Sequence, residues 1–224
     1  MKKIVLLLLL NILLLANTDI VDFHKTQCNL DNAISCNELG NFYEHGLHNL
    51  EQNYKKAFTY YNESCNSQFF RACSNLGYLY QQGYGTKSNY YKAYNLYKKA
   101  CDEKITKGCY NLGILYRDGI GVKKNHQEAK KLFNYSCQNK IYNACTHMGL
   151  LYEDGLGVEK NPAIAMKFYG KACDNNNSIG CHNLGLQYFY YKKNKSIAIS
   201  LFDKACKLNY EDACKNYFIL IKEK

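Results

Sequence analysis

The sequence predicts an all-α protein, a right-handed α/α superhelical solenoid of disulfide-stapled helix pairs. Three observations predict it. Twelve cysteines recur at regular intervals, apolar residues recur at helical spacings around them, and glycines recur where each helix should end. The composition agrees, because 47% of the 224 residues are hydrophobic and only one is proline, which is typical of a folded chain with a core.

The cysteines form pairs with seven residues between the two members. The pairs are Cys28 and Cys36, Cys65 and Cys73, Cys101 and Cys109, Cys137 and Cys145, Cys173 and Cys181, and Cys206 and Cys214. The first member recurs after 37, 36, 36, 36 and 33 positions. A period of this length is typical of repeat proteins, in which each repeat packs mainly on its neighbours.

A first helix, helix A, is predicted to begin near the second cysteine of each pair. Three, four and seven positions after that cysteine come an aliphatic residue, a glycine and a tyrosine, as in Leu76, Gly77 and Tyr80. These offsets lie on one helical face. Glycine costs about 1 kcal/mol inside a helix, so we expect a neighbouring helix to approach closely there. Glycines ten and twelve positions on, such as Gly83 and Gly85, should end the helix.

A second helix, helix B, is predicted to end near the first cysteine of each pair. An alanine stands eight residues before that cysteine and an aromatic residue four before it. The aromatic residues are Tyr61, Tyr97, Phe133, Tyr169 and Phe202. Asn161 and Pro162 fit the cap and first turn of such a helix. The chain therefore alternates helices A and B.

The spacing of the cysteines also predicts their pairing. Two residues eight apart in one continuous helix lie about 12 Å apart, whereas a disulfide needs Cα atoms within about 7 Å. A turn between the two cysteines is therefore required, and the polar residues 174–180 can form one. We expect six local disulfides, each joining helix B to the next helix A.

The ends of the chain differ from its repeats. Residues 1–16 have the pattern of a signal peptide, with Lys2 and Lys3 before an apolar run. We expect residues 17–35 to be an N-terminal capping half-repeat, 36–206 to be five helix-pair repeats, and 207–224 to be a C-terminal capping helix. The protein should be secreted or periplasmic, with no membrane span after cleavage. A net charge of +10 favours acidic partners or anionic surfaces, but the lysines are too scattered to indicate nucleic-acid binding.

These residues resemble the SEL-one-like repeats, relatives of the tetratricopeptide repeat. The disulfide-bearing chain is similar to the Helicobacter cysteine-rich proteins. The resemblance covers residues 28–214 and departs at Tyr191 and Lys193, which replace the two loop glycines, and at Phe218, which replaces the close-packing glycine. The resemblance implies a solenoid, and it associates the chain with penicillin binding and weak β-lactamase activity.

Helix A faces usually line the concave side of such a solenoid, where ligands bind. Two positions after the second cysteine stand Glu38, Asn75, Asn111, His147, Asn183 and Asn216. Asparagine amides donate and accept hydrogen bonds, so this ladder suits a peptide-like or cell-wall-like ligand, or an envelope or host protein partner. Leu186 and its equivalents, five positions after the cysteine, should contact side chains. The alternative is an ordinary polar surface, since asparagine is abundant here.

A second function class is catalytic. The resemblance implies a slow β-lactamase, but the sequence contains no Ser-x-x-Lys pair, and its six histidines are scattered. We therefore expect no metal and no cofactor. We also expect a monomer, with β-lactams among its candidate ligands and without a serine nucleophile. A separate signal is Asp174–Ser178, which fits an extended glycosylation site at Asn176.

Overall fold

The computed structural model describes residues 20–222, so the predicted signal peptide and residues 17–19 lie outside the described part. Within it there are twelve helices and no strands. Helix α1 covers residues 20–29. The others are α2 (Ala33–His45), α3 (Tyr54–Asn66), α4 (Phe70–Gln82), α5 (Tyr90–Asp102), α6 (Thr106–Asp118), α7 (His126–Gln138), α8 (Tyr142–Asp154), α9 (Pro162–Asp174), α10 (Ser178–Tyr190), α11 (Lys195–Lys207) and α12 (Glu211–Lys222).

The even-numbered helices are the predicted helices A and the odd-numbered ones the predicted helices B. The prediction of an all-α chain of repeated helix pairs with disulfides between them is therefore confirmed. The helices form two compact units, the first ending at Gly108 and the second beginning at Cys109. Each unit has its own core, which includes Tyr61 and Leu79 in the first and Phe133 and Met148 in the second.

Helix A packs on the next helix B through the predicted glycines. A Cβ atom built on Gly149 would lie 2.3 Å from the Tyr169 ring, and one built on Gly77 would lie 2.8 Å from the Tyr97 ring. The three remaining glycines of this position, Gly40, Gly113 and Gly185, face the ring of the following helix B in the same way. Both tyrosine side chains are fully buried. The glycine column is thus the contact that sets the spacing within each helix pair.

Asparagine caps the helices B. The Asn161 side chain accepts a hydrogen bond from the Ile164 backbone N–H, and Pro162 occupies the first turn, as predicted. The same cap occurs at Asn53, Asn89, Asn125 and Asn194, which sequence analysis had not singled out. Part of the abundant asparagine therefore has a structural role, because an N-cap side chain satisfies an otherwise unpaired backbone N–H.

The cysteines are bonded as local pairs. Cys173 and Cys181 have Cα atoms 4.4 Å apart, and the other pairs with described geometry span up to 4.8 Å. Cys101 and Cys109 are disulfide-bonded as well, so no cysteine of residues 20–222 is free. Between the paired cysteines, the residue three positions after the first one has positive φ, for example Asn176 at 59°. This left-handed residue makes the turn tight enough for the bridge. Among the described helices, none is long and apolar enough to cross a membrane.

Candidate functional site

The ladder residue of the first unit, Asn75, is held by its neighbours. All the predicted ladder positions are half-buried. The Asn75 side chain donates through Nδ2 to Oδ1 of Asn37 at 3.1 Å and accepts from Nζ of Lys107 at 3.2 Å. Asn37 lies one position after its cysteine on the preceding helix A. This side-chain link between two helices A, here called a rung, fixes the orientation of the Asn75 amide.

His147 occupies the ladder position on α8 and is neutral. Arg117 Nη1 lies 2.9 Å from His147 Nδ1, and because a guanidinium can only donate, Nδ1 must be the acceptor. The Tyr110 hydroxyl lies 3.3 Å from Nε2, and the imidazole stacks on Phe133 with ring centroids 4.9 Å apart. Burial and the Arg117 charge lower the pKa of His147 to about 4. The histidine is therefore uncharged near neutral pH.

Arg117 itself is engaged by the adjacent acid. Its Nε and Nη2 donate to the two carboxylate oxygens of Asp118 at 2.7 and 2.8 Å. These hydrogen bonds hold the pKa of Asp118 below its ordinary value. The guanidinium fork is thus occupied, so Arg117 orients His147 and is not free to grip an anionic ligand.

A second histidine links the last two ladder residues. The Asn216 Nδ2 group lies 3.0 Å from His182 Nε2, and His182 Nδ1 lies 3.3 Å from Asn183 Oδ1. If Asn216 donates to Nε2, then Nδ1 carries the proton and donates to Asn183. Burial lowers the pKa of His182, in agreement with this neutral form. Asn111, the remaining predicted residue, is half-buried on α6.

The ladder therefore includes three rungs between consecutive helices A. In the rungs Asn37–Asn75, Tyr110–His147 and His182–Asn216, a residue one position after its cysteine meets the ladder residue of the next helix A. An amide has two donor hydrogens and an acceptor oxygen with two lone pairs. In its rung, Asn216 uses one of those hydrogens. The Asn37–Asn75 and His182–Asn216 rungs thus present a fixed amide with unused hydrogen-bonding capacity, whereas the Tyr110–His147 rung presents a phenol and an imidazole.

A buried polar network lies beside these rungs on α8 and α10. Glu153 accepts hydrogen bonds from the Tyr169 hydroxyl at 2.5 Å and from Nε2 of Gln187 at 2.7 Å. Gln187 is only 1% exposed, and among the described residues its Oε1 has no partner. The equivalent positions hold Phe42, Leu79, Leu115 and Leu151. Sequence analysis missed Gln187, although a polar residue in an apolar column was a visible signal.

A pocket opens between α10 and α12 in the second unit. Its volume is about 220 Å³, and its lining includes Leu186, Tyr190, Phe202, Asn216 and Ile219. Tyr190 and Ile219 are 59% and 55% exposed, so the mouth of the pocket is apolar. The pocket brings together Asn216 and Leu186, both of which the sequence had placed on the ligand-facing side.

The charges of the chain are divided between the two kinds of helix. Helices α2, α4, α6, α8 and α10 carry five acidic residues and three basic ones. Helices α3, α5, α7, α9 and α11 carry twelve lysines and five acids. The basic charge therefore belongs to the helices B, and the expectation of an acidic partner does not extend to the helix A surface.

One cluster has the composition of a metal site but not its chemistry. The sulfur atoms of Cys28 and Cys36 and a carboxylate oxygen of Glu63 lie within 4.8 Å of one another. The two sulfurs are bonded to each other, whereas a metal ligand must be a thiolate. These residues therefore do not form a metal site in the oxidised protein.

Comparison with known proteins identifies the repeat. The Sel1 repeat matches residues 33–68, 70–104, 106–140, 143–177 and 178–210. A search of curated protein sequences found no significant match. The chain is similar in structure to c5321, a protective antigen of uropathogenic Escherichia coli with an SLR fold, at 24% identity and a TM-score of 0.77. That match covers 88% of this chain and 43% of the antigen, so the chain spans less than half of that protein.

Two further solved structures are similar. A Sel1 repeat protein from Oxalobacter formigenes has 24% identity and a TM-score of 0.77, with 84% of this chain and 77% of that one covered. The Helicobacter pylori cysteine rich protein B has 28% identity and a TM-score of 0.46, with 58% and 92% covered. Because the matched repeats account for more than half of the sequence, this chain belongs to the Sel1 repeat family.

Proposed function

We propose that this chain is an exported binding protein whose helix A surfaces hold a peptide-like segment of a protein partner or of cell-wall material. The Sel1 repeat fold is suited to protein binding. The observation that carries the proposal is the set of rungs. Two of the three rungs, at Asn75 and Asn216, fix an amide in one orientation and leave part of its hydrogen-bonding capacity for a ligand, so little side-chain freedom is lost on binding.

Export is supported by the oxidation state of the cysteines. No cysteine of residues 20–222 is free, and disulfides persist mainly in oxidising, extracytoplasmic compartments. We therefore place the protein in the periplasm or outside the cell. Mass spectrometry of protein recovered from its natural compartment tests this directly. Free thiols at all twelve cysteines would contradict export into an oxidising environment.

The binding proposal is tested by selection followed by substitution. The oxidised chain from residue 17 is panned against a random peptide library, and in parallel it is titrated with soluble muropeptides ending in D-Ala-D-Ala. Affinities are then measured for the variants Asn75→Ala and Asn216→Ala. The control is Asn66→Ala, which alters an exposed asparagine at the end of a helix B.

We expect at least one ladder variant to bind a selected peptide or muropeptide about tenfold more weakly, which corresponds to the loss of one or two hydrogen bonds. The control should bind normally, and thermal melting should verify that every variant is folded. Equal affinity of the ladder variants and the control would contradict the proposal.

The β-lactamase alternative rests on the family resemblance alone and stays a prediction. Nitrocefin turnover by the purified protein, abolished by substitution of one specific residue, would favour an enzyme. Saturable β-lactam binding without turnover would instead fit a groove that accepts peptide-like molecules.

A further inference from the structure

We infer that the helix A surface of the second unit selects a peptide with a cationic side chain close to a large apolar side chain. The apolar side chain enters the pocket between α10 and α12, and the cation lies against the carboxylates at the end of α8. This inference rests on the proposed function and specifies the ligand class for one part of the site.

The pocket has the size of one large side chain. Its volume is about 220 Å³, and a dry apolar cavity of roughly 150 Å³ is enough to hold a benzene molecule. Whole drug-sized ligands occupy pockets of about 300 Å³ or more. The ring of Phe202 contributes to the lining, and Tyr190 and Ile219 flank the mouth. The lining chemistry therefore fits a phenylalanine or leucine side chain and not a sugar.

The polar residue of the pocket is suited to the backbone of the same peptide. Asn216 belongs to the lining, and its Nδ2 is bonded to His182 Nε2 at 3.0 Å. This bond fixes the amide and leaves one of its hydrogens and its oxygen available. An extended peptide offers a backbone N–H and C=O at each residue, so a fixed amide beside the pocket can hold the chain that carries the apolar group.

The charge at the end of α8 is negative. Helix α8 contains Glu153 and Asp154 and no lysine or arginine, and α10 contains no charged residue. On α12, Lys215 is paired with Glu211 and Asp212 at 3.0 and 3.3 Å. Lys222, the last residue of α12, is exposed. Among residues 20–222, the ion pairs leave out Glu153 and Asp154, so the α8 carboxylates are not neutralised by a lysine or arginine of the chain.

The two features contact neighbouring residues of α10. The Glu153 carboxylate contacts α10 at Gln187, and Gln187 directly follows Leu186, which lines the pocket. Successive residues of an extended peptide advance about 3.3 Å. A ligand that places one side chain in the pocket can therefore bring another to the α8 carboxylates within a few residues. Asp154 is exposed and available to it.

The test uses short fluorescent peptides with the oxidised chain from residue 17. In each peptide a lysine and a phenylalanine are separated by one, two or three serines. We expect one spacing to bind best, and that peptide to lose about tenfold in affinity when its lysine is replaced by glutamate or its phenylalanine by serine. Equal binding of the lysine and glutamate peptides would overturn the inference.

Protein variants assign the two contacts. Asp154→Asn should weaken the lysine peptide about threefold and leave a norleucine analogue unchanged, because an exposed charge pair contributes little but measurably. Ile219→Ser should weaken the phenylalanine peptide about tenfold and leave its serine analogue unchanged. The matched controls are Asp174→Asn, an exposed acid on α9, and Phe218→Ser, an exposed apolar neighbour that does not line the pocket.

The outcomes separate the two proposals. If the library and the muropeptides yield ligands that depend on the ladder asparagines but show no preference for lysine and phenylalanine, the binding function stands and this inference fails. If the controls weaken binding as much as Asp154→Asn and Ile219→Ser, the assignment of the contacts is wrong. If no peptide of any kind binds, both proposals fail.

Discussion

The repeats of this chain divide into two kinds according to the aromatic residue of helix B. Where that residue is tyrosine, the helix A residue eight positions after its cysteine is a hydrogen-bond acceptor. Tyr61, Tyr97 and Tyr169 donate to Glu44, Gln81 and Glu153 respectively. Where it is phenylalanine, the equivalent positions hold Arg117 and Phe189. The two positions therefore vary together along the chain.

The difference shows that the hydroxyl group of the helix B ring determines which residue is required at the facing position of helix A. A buried tyrosine hydroxyl needs an acceptor, and each partner in this chain provides an oxygen. A phenylalanine ring makes no such demand. Phe133 instead stacks on His147, and Phe202 packs against His182 at 5.6 Å. The same contact between helix A and helix B therefore accommodates two arrangements. A tyrosine ring is accompanied by an acidic or amide residue that accepts its hydrogen bond, and a phenylalanine ring by a neutral histidine that packs against it.

The largest effect should come from reducing the disulfides, which both kinds of repeat share. Each disulfide closes a loop of nine residues, which stabilises the fold by about 2.6 kcal/mol in the chain-entropy description. We expect full reduction to unfold the chain cooperatively, with loss of the helical far-ultraviolet circular dichroism signal. An unchanged spectrum in strong reductant would show that helix packing alone suffices.

Alanine substitutions at two glycines should have opposite effects on stability, because one glycine lies against a ring and the other faces open space. Ala at position 149 would place Cβ 2.3 Å from the fully buried Tyr169 ring, so Gly149→Ala should lower the free energy of unfolding by about 3 kcal/mol. Gly170 has nothing within 4 Å of such a Cβ, so Gly170→Ala in the same repeat should raise stability by up to about 1 kcal/mol. Urea denaturation measures both, and similar changes in the two variants would contradict the contact.

The phenylalanine repeats should make stability depend on pH. The pKa of His147 is about 4 in the folded protein against an ordinary 6.5, so the unfolded chain binds more protons between these values. Stability is thus complete above about pH 6.5 and falls as the pH drops towards 4, by up to about 3 kcal/mol. His147→Asn, which copies the other ladder positions, should flatten this dependence in urea titrations. If the substitution left the pH dependence of the unfolding free energy unchanged, a group other than His147 would be its cause.

The smallest effect should come from exchanging the two kinds of repeat. Phe133→Tyr places a hydroxyl near Arg117, which can donate but not accept, so we expect a loss of about 1–2 kcal/mol. Adding Arg117→Gln, which copies the Tyr97–Gln81 pair, should recover about half of it. Double-mutant analysis of thermal or urea unfolding measures the coupling. Strictly additive effects would mean that the two positions do not depend on each other.

The local features of the repeat could be predicted from the sequence, because they depend on neighbours along the chain. The helix pairs, the close approach at Gly149 and the cap at Asn161 all follow from residue spacing. The predicted binding function of the ladder stays a proposal. The rungs and the acceptors for buried tyrosines were not predicted, because they depend on the register between separate helices. Gln187 had a sequence signal, but its partner Glu153 lies 34 residues away on another helix.

Hydrogen–deuterium exchange of the oxidised chain, with and without a bound lysine- and phenylalanine-containing peptide, tests most directly whether the helices A form the ligand surface. We predict slower exchange in α8, α10 and α12 on binding, with α7 and α9 unchanged; α11 is not a control, since it contributes Phe202 to the pocket. Protection confined to the lysine-rich helices α7, α9 and α11 would place the ligand on the opposite kind of helix and contradict the account.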